Sequence, residues 1–351
     1  MKDLSAYSAS VADWRKQLRV NERRTKIVIG LFILIYLAVG MLIDLYLHSG
    51  PVYTQNGLVS VPLSETFTNL ITFEIIPWAT LIMGGIAAIS IFITFSLHDK
   101  LMLLGTKYHE VTADNARSLE EQQLYNVVEE MKTAAGLRYM PRVFIIEADY
   151  MNAFASGYSE KSALVAITRG LMQKLKRSEL QAVMAHELNH IRHHDIKLTL
   201  MASVLSNLML MAIDMLFYGV VFGGGRRRDN RLVAVIIILR FLLPLLTVIL
   251  LLYLSRTREY MADAGAVELT RDNTPLANAL LKIRGDHEQH KETYGEEYLR
   301  TPHEDVRRAA YIFDPIQAGI EPVKSLANLF STHPSIKDRL KALGFTLRSQ
   351  V

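Results

Sequence analysis

A helical pattern ends in a pair of histidines at Glu179-Leu-Gln-Ala-Val-Met-Ala-His-Glu-Leu-Asn-His190. Apolar residues occupy one side of this predicted helix, and the histidines lie at its polar edge. Residues four apart lie one turn apart on the same helix face, so the rings of His186 and His190 can converge on a single ion. Glu187 can reach a water bound to that ion. The alternative is a pair of solvent-exposed histidines on a surface helix.

A second motif, with two carboxylates, follows at Ser255-Arg-Thr-Arg-Glu-Tyr-Met-Ala-Asp263. A catalytic zinc ion needs three protein ligands and one open position, and Glu259 can supply the third ligand. Asp263 lies one helical turn further on, where it can accept a hydrogen bond from a ligand histidine and fix the tautomer of that ring. The alternative is a charged, solvated helix end beside a membrane span. The chain has no cysteine, which excludes disulfides and thiolate ligands.

Four long apolar runs indicate an integral membrane protein. They lie at residues 27–47, 75–97, 198–222 and 232–254. Each is long enough to cross a hydrocarbon core, which needs about 20 helical residues. One such run could be a buried core helix, but four in one chain favour membrane spans. We expect the first run to be a retained anchor, because no small-residue cleavage site follows it.

The distribution of charge predicts an orientation in the membrane. Residues 1–26 contain seven Lys or Arg residues, whereas residues 48–69 contain none. The positive-inside rule therefore places the N-terminus in the cytoplasm and the first loop outside. The net charge of +4 is small and lies beside the apolar runs, so we expect no nucleic-acid partner. 

The predicted domain organisation follows from these runs. It comprises a basic cytoplasmic segment (1–26), a transmembrane hairpin (27–97), a cytoplasmic part with the histidine pair (98–197), a second transmembrane hairpin (198–254) and a helical C-terminal part that supplies the third ligand (255–351).

The second hairpin has two possible arrangements. The ligands on either side of it must meet, so the chain between them crosses the membrane twice or not at all. If it crosses twice, the loop 223–231 lies outside with four arginines, against the positive-inside rule. Asp214 and Arg240 also fall within apolar runs, where they could pair with each other. We favour the spanning hairpin over one that is only partly embedded.

The polar parts of the chain predict an α+β fold. Residues 118–135 have helical spacing, and Gly136 is a suitable stop. Residues 142–147, 152–157 and 163–168 read as three short strands. The helix with the histidine pair follows them. Residues 287–314 are rich in charge and histidine and are predicted to form a surface loop or lid. The expected fold is thus a small sheet plus metal-binding helix, attached to about four membrane helices.

Together these motifs resemble the membrane-bound gluzincins, the zinc metalloprotease family that contains the HtpX-like proteases and the CaaX prenyl protease. The resemblance rests on the His186–His190 motif, on the Glu259–Asp263 motif and on three further stretches in the same order. These are Asn152-Ala-Phe-Ala-Ser-Gly157, Thr168-Arg-Gly-Leu171 and His333-Pro-Ser-Ile-Lys-Asp-Arg339. The two spans before the histidine pair and the two after it are similar to the HtpX-like pattern, whereas the prenyl protease has more spans.

The resemblance implies a set of roles. One Zn²⁺ per chain would be held by His186, His190 and Glu259, with Glu187 as general base. Asp263, His333 and Arg339 are predicted to support the ligands or stabilise the oxyanion. The stretch Asn152, Ala153, Phe154 and Ala155 is predicted to bind the substrate backbone as an added strand. 

The neighbouring His193, His194 and Asp195 suggest a second metal site, but we favour a polar patch at the membrane interface.

The predicted function is a zinc endopeptidase in the bacterial inner (plasma) membrane, with its catalytic part in the cytoplasm. The resemblance implies membrane or misfolded proteins as substrates, in protein quality control and the stress response. A dedicated processing protease for a prenylated or signalling substrate is the alternative. A divalent-metal transporter or sensor is a third hypothesis, which predicts histidine or carboxylate ligands deep inside the spans. The expected partners are polypeptides and the lipid bilayer, and the sequence does not indicate an oligomeric state.

Overall fold

The computed structural model describes residues 4–9, 13–54, 57–157, 159–222, 230–301, 307–308, 310–320 and 333–347. The chain divides into two compact units. The helical unit contains residues 26–94 and 200–251, and the α+β unit contains residues 1–25, 95–199 and 252–351.

Most strands of the described chain lie before Thr168, and most helices follow it. The helices are α1 (Trp14–His48), α2 (Leu63–Ile71), α3 (Trp78–Leu103), α4 (Leu119–Ala134), α5 (Arg169–Lys174), α6 (Arg177–Arg192), α7 (Asp195–Phe222), α8 (Asn230–Thr270), α9 (Thr274–Gln289), α10 (Lys291–Arg300) and α11 (Ile336–Ala342). The strands are β1 (Tyr7–Ala9), β2 (Gly50–Thr54), β3 (Gly57–Val61), β4 (Tyr108–Val111), β5 (Arg142–Ile146), β6 (Ala153–Ser156), β7 (Leu164–Thr168) and β8 (Phe345–Leu347).

The helical unit is built from four helices that are long and apolar enough to cross a membrane: α1, α3 up to Leu97, α7 and α8. They agree with the four predicted spans. Many of their large apolar side chains are exposed, for example Ile89 and Phe92 on α3 and Phe241 on α8. Contiguous apolar surface of this kind is rare on soluble proteins and suits contact with lipid. The chain is therefore a membrane protein.

Asp44 has a structural role inside the helical unit. Its side chain is fully buried. The backbone N–H groups of Ala79 and Thr80 donate to its two carboxylate oxygens at 2.8 and 2.9 Å, and the hydroxyl of Thr80 donates at 2.7 Å. The carboxylate thus caps the N-terminus of α3, where backbone N–H groups lack partners within the helix and negative charge is favoured.

Two further charges within the apolar runs pair with each other. Arg240 on α8 forms an ion pair with Asp214 on α7, which confirms the predicted pairing. An ion pair costs much less to keep in an apolar surrounding than either charge alone. Neither Asp44 nor Asp214 is therefore left open as a transport ligand. Residues 223–229 of the arginine-rich loop lie outside the described residues.

The centre of the α+β unit is a four-stranded sheet in the order β4-β5-β7-β6. β5 and β7 are parallel, whereas β4 and β6 are antiparallel to their neighbours. The three predicted strands are present as β5, β6 and β7. β4 is not among the predicted strands, because its four residues have no clear alternation of apolar and polar side chains.

Both faces of the sheet are covered. One face buries Val143, Ile145 and Val165 against α4, α6 and α9. The other buries Phe144 and Phe154 in a second cluster with tyrosines of α10. Because both faces are covered, β5, β6 and β7 are apolar over most of their length. α6 lies against β6, which brings the histidine pair close to the edge of the sheet.

The segment predicted as a surface loop, residues 287–314, is largely helical and packed, so that prediction was wrong for its described part. α9 ends at Gln289, and α10 follows almost at once. His287 is fully buried. Its Nδ1–H donates to the carbonyl of Ile283 at 2.9 Å, and its Nε2 accepts from the hydroxyl of Tyr298 at 3.1 Å. The charged side chains lie on the outer faces of both helices, and the inner face buries aromatic residues that include Tyr294 and Tyr298. The many charges made this segment resemble a surface loop.

The two ends of the described chain meet in the α+β unit. β1 pairs with β8 in antiparallel register, with Tyr7 opposite Leu347. Strand pairing requires both segments to lie on the same side of a membrane. The chain between them must therefore cross the membrane an even number of times, which agrees with the predicted four spans.

We expect Asp44→Ala to destabilise the helical unit. Removing the cap leaves three buried donors without an acceptor, which costs at least about 2 kcal/mol. Thermal unfolding of detergent-purified protein, followed by tryptophan fluorescence, should show a lower midpoint. Asp44→Asn keeps an acceptor oxygen, so its unfolding midpoint should lie between those of Asp44→Ala and the wild type. Equal midpoints for all three proteins would contradict this role of Asp44.

His287 should make the stability of the α+β unit depend on pH. Burial lowers the pKa of its imidazole to about 4, below the value near 6.5 of an unfolded chain. The unfolded state therefore binds a proton first as the pH falls. The contribution of neutral His287 to the free energy of unfolding is fully present above about pH 6.5. About 3 kcal/mol of it is lost as the pH falls to 4.

The non-titrating variant His287→Gln tests this expectation. Unfolding midpoints of the wild type and the variant are measured at several pH values between 7.5 and 4.5. The wild type should lose more stability across this range than the variant does. The same slope in both proteins would show that His287 does not carry the effect.

Candidate metal centre

The three residues predicted to bind metal lie together in the α+β unit. His186 and His190 are on α6, and Glu259 is on the last part of α8. The Nε2 atoms of the two histidines are 3.2 Å apart. The carboxylate oxygens of Glu259 lie 3.7 Å from Nε2 of His186 and 3.5 Å from Nε2 of His190. Among the described residues this is the one group of three or more side chains with metal-ligand geometry.

The other nitrogen of each ring faces a carboxylate. Nδ1 of His186 lies 3.0 Å from Oδ1 of Asp263, and Nδ1 of His190 lies 2.8 Å from Oδ2 of Asp195. A carboxylate accepts a hydrogen bond, so Nδ1 carries the proton and Nε2 carries the lone pair. Two lone pairs and a carboxylate oxygen then converge on one point. This arrangement is unfavourable unless a cation lies between them, and the side chains therefore fit a metal ion.

Charge and burial favour the neutral form of His190. Burial lowers the pKa of its imidazole well below the usual value, and the neighbouring His186 lowers it further. A neutral imidazole is the form that binds metal. 

α8 passes close to α6 at one glycine. A Cβ atom on Gly265 would lie 2.2 Å from Oδ1 of Asn189, which no real Cβ contact allows. Asn189 is fully buried and donates from Nδ2 to the carbonyl of Ala185 at 2.7 Å. The close approach places Glu259 and Asp263, both on the same helix as Gly265, within reach of the histidine rings.

Arg339 on α11 holds the acidic residues in place. Its Nε and Nη2 atoms bind the two oxygens of Asp263 at 2.9 and 2.6 Å, and its Nη1 lies 3.4 Å from Glu259. Bidentate pairing of this kind fixes the carboxylate plane. His333 is 2% exposed, and its Nδ1 lies 3.3 Å from Oε2 of Glu259. Burial lowers the pKa of His333, but the Glu259 carboxylate outweighs burial, and the net pKa is raised.

Glu187 is completely buried beside the ligands. Burial raises the pKa of its carboxyl well above the usual value, and the charge of Glu259 raises it further. The Arg339 guanidinium and the backbone N–H of Ala155 act in the opposite direction. A carboxyl group with a raised pKa can exchange protons near neutral pH, as a general acid–base catalyst requires.

Three residues of the predicted substrate-binding stretch, Ala153 to Ala155, lie in the edge strand β6, and Asn152 precedes it. Ala155 is the member whose backbone faces Glu187. The Asn152 side chain points elsewhere, because its Nδ2 donates to the carbonyl of Phe313 at 2.9 Å. Ala153 and Phe154 are also buried. The sequence-predicted residues are thus brought to one region, with Asn152 directed away from the ligands.

The position of Asp195 differs from the prediction, which places it with His193 and His194 in a polar patch at the membrane interface. In the structure Asp195 is 2% exposed, lies against His190, and pairs with Arg258 at 2.8 Å. α6 ends at Arg192 and His194 has a φ of 53°, so the chain reverses and returns Asp195 toward the ligands. No glycine or proline marks this turn, so no local pattern predicts it.

Comparisons with known proteins agree with this geometry. The profile of peptidase family M48 matches residues 118–346, more than half of the chain. A protease HtpX homolog of Helicobacter pylori (strain Shi470) is 36% identical over 333 residues, covering 95% of this chain and 98% of that protein. A protease HtpX homolog of Helicobacter acinonychis (strain Sheeba) is 36% identical over 331 residues, covering 94% and 98%.

A search of solved structures found the crystal structure of Ste24p from S. mikatae, with a TM-score of 0.44 and 18% identity, covering 79% of this chain and 60% of that one. The family match and the two relatives determine the assignment. The chain belongs to peptidase family M48, and it is a membrane-bound metalloprotease of the HtpX-like group.

Proposed function

We propose that this membrane metalloprotease is a zinc endopeptidase that cleaves membrane or unfolded proteins on the cytoplasmic side. The observation that carries the proposal is the convergence of His186, His190 and Glu259, with the buried carboxyl of Glu187 beside them. The polypeptide substrate follows from the family, and the breadth of substrate follows from the resemblance to the HtpX-like proteases.

The spacing of the ligand atoms favours zinc. Zinc binds nitrogen and oxygen ligands at about 2.0–2.1 Å in a tetrahedral arrangement, which places neighbouring ligand atoms about 3.3 Å apart. The observed separations of 3.2, 3.5 and 3.7 Å are close to this value. Three protein ligands leave one position open, as in catalytic sites. A zinc ion bound here supplies Lewis acidity, which polarises a peptide carbonyl and makes water more acidic.

Glu187 moves the protons in the proposed reaction. Its carboxylate removes a proton from the attacking water and later delivers it to the nitrogen of the leaving amine. The burial that raises its pKa keeps both protonation states accessible. Burial also keeps bulk water away from the proton that Glu187 transfers.

His333 is the better placed of the two predicted oxyanion donors. Its Nδ1 faces Glu259, and its raised pKa favours the protonated ring. A cationic imidazole can stabilise the charge that develops on the carbonyl oxygen. Arg339 already directs three N–H groups to Asp263 and to the carbonyl of Ile312. We therefore assign Arg339 to positioning Asp263 and, through it, His186.

The proposed orientation rests on charge and connectivity. The N-terminal segment and the metal-binding elements belong to one unit, so they lie on one side of the membrane. The seven Lys or Arg residues of residues 1–26 place that side in the cytoplasm by the positive-inside rule. This supports a cytoplasmic position of the metal-binding elements, with α7 and α8 as a spanning hairpin.

Glu187→Gln should abolish peptidase activity while the metal site stays intact. The amide cannot accept the water proton, so turnover of an unfolded substrate such as casein should fall by about 10²–10⁴-fold. Activity and bound zinc are measured on detergent-purified protein, with and without a chelator. Zinc should remain near one per chain in the variant.

The matched control is Glu268→Gln, which removes a carboxylate that pairs with Arg192 at 2.9 Å away from the ligands. It should retain both zinc and activity. Full turnover by Glu187→Gln would exclude the proposed role of Glu187. The absence of bound zinc from every variant would exclude the zinc site. Cleavage at only one defined sequence in a mixture of unfolded proteins would favour the dedicated processing protease.

Asp195→Asn should weaken metal binding. The change removes the charge that orients His190, and the loss of such a partner typically reduces metal affinity by about 10–100-fold. Titration with a chelator of known affinity measures the effect, and Glu268→Gln again serves as the control. Equal zinc affinity in Asp195→Asn and the control would show that Asp195 does not support the ligand.

A further inference from the structure

A cavity of about 280 Å³ lies beside the first turns of α1. Its described lining contains two cationic side chains and no carboxylate, and it includes none of the proposed metal ligands. The lining residues come from three helices, and all of them belong to the α+β unit. They are Lys16, Gln17, Val20, Asn21 and Arg24 of α1, Tyr260 of α8 and Ala342 of α11.

The two cations of the cavity are free to bind an anion. Lys16 and Arg24 are exposed, and among the described residues neither forms an ion pair with a carboxylate. Nη1 of Arg24 donates to Oδ1 of Asn21 at 3.4 Å, a long bond to a neutral acceptor. Tyr260 adds a hydroxyl that can donate. Two cations and a hydroxyl around one space suit the oxygens of a phosphate group.

The cavity begins at the level of the lipid headgroups. Arg24 comes three residues before the apolar run 27–47, which is about 4.5 Å along a helix. The headgroup layer on each side of the hydrocarbon core is about 5–8 Å thick. α1 is continuous from Trp14 to His48, so Arg24 lies within this layer. Lys16 lies about 12 Å further out, and its flexible stem can extend back toward Arg24.

The size and the wall of the cavity fit the polar end of a phospholipid. A water molecule occupies about 30 Å³ in the liquid, so the cavity holds roughly nine non-hydrogen atoms, close to the size of a phosphoglycerol group. Val20 is 40% exposed and lies one helical turn before Arg24, on the same face of α1. It gives the cavity an apolar side that a free phosphate ion would leave in contact with water.

The walls of the cavity are connected to the metal centre. Nε2 of Gln17 donates to the carbonyl of Ala342 at 2.7 Å, and Ala342 is on α11, the helix that carries Arg339. Tyr260 directly follows the proposed ligand Glu259. A molecule bound in the cavity therefore contacts the start of α1 together with two helices that build the metal centre.

We infer that the cavity binds the headgroup phosphate of an anionic phospholipid, with Lys16 and Arg24 as its cationic contacts. Anionic lipids attract basic segments that flank a membrane helix, and here two of the basic residues border a space for one headgroup. The bound lipid holds the start of α1 against α8 and α11. The inference does not depend on the proposed peptidase activity.

Native mass spectrometry of the full-length protein in mild detergent tests the inference, because it counts bound lipids. The protein is titrated with phosphatidylglycerol and, separately, with phosphatidylcholine. We expect one tightly bound phosphatidylglycerol per wild-type chain, with phosphatidylcholine at least about tenfold weaker. The combined change Lys16→Gln and Arg24→Gln should weaken phosphatidylglycerol binding by about tenfold or more, because each basic residue near a headgroup contributes about fivefold.

The matched control combines Arg19→Gln and Arg23→Gln. It removes the same charge from the same part of α1, and both residues are exposed and lie outside the cavity lining. Its affinity for phosphatidylglycerol should stay within about twofold of the wild type, because exposed charges outside the site are screened by salt. Unfolding midpoints without lipid should be equal in all three proteins, which excludes a folding defect as the cause of lost binding.

Soluble glycerol phosphate distinguishes a lipid from a free phosphate compound. It should bind at least about tenfold more weakly than phosphatidylglycerol, because it has no acyl chains to bury against apolar surface. Selective loss of phosphatidylglycerol in the Lys16 and Arg24 variant supports the inference. Equal loss in both double variants, equal binding of the two lipids, or glycerol phosphate binding as tightly as the lipid would each overturn it, as would a wild type that binds no lipid.

Discussion

A chain of buried contacts runs from Arg339 through Asp263 to His186, and the geometry of the metal centre depends on it. Each of these three side chains is at most 1% exposed. Charges buried to this degree are costly unless they are paired and hydrogen-bonded, and removal of one partner leaves the other unsatisfied. The network therefore holds its members in one arrangement. It also ties α11, near the end of the chain, to a ligand on α6.

The second histidine is supported in the same way from a different element. Asp195 lies between His190 and Arg258, as Asp263 lies between His186 and Arg339. Each ligand ring thus faces a carboxylate that is itself held by a buried arginine. Two independent supports of the same kind fix both tautomers.

The sequence predicted the metal centre better than its surroundings. The proposed ligands His186 and His190 follow from helical spacing, and the four membrane helices follow from the length of the apolar runs, because both signals are local. Asp195 was missed because the chain reverses at His194 without a glycine or proline. The packed state of residues 287–300 was missed because the charges on α9 and α10 outnumber the aromatic residues that they bury. β4 was missed because a short strand at a sheet edge needs no strong apolar pattern.

The role of Asn152 shows another limit of sequence analysis. A motif identifies a strand beside a catalytic helix, but it does not show which hydrogen-bonding groups of that strand are already used. The side chain of Asn152 is paired with Phe313, 161 positions further along the chain. Such long-range pairing depends on the whole fold, and no local pattern indicates it.

The antiparallel pairing of β1 with β8 has a consequence for biosynthesis. Residues 7–9 leave the ribosome first among the elements of the sheet pair, and residues 345–347 leave it last. Glu259 and Arg339 also follow the last apolar run, residues 232–254. The α+β unit can close only after every membrane helix has been made and the chain has returned to its starting side. The α+β unit therefore assembles after the membrane helices have been made. A chain that stalls during insertion lacks a complete metal centre.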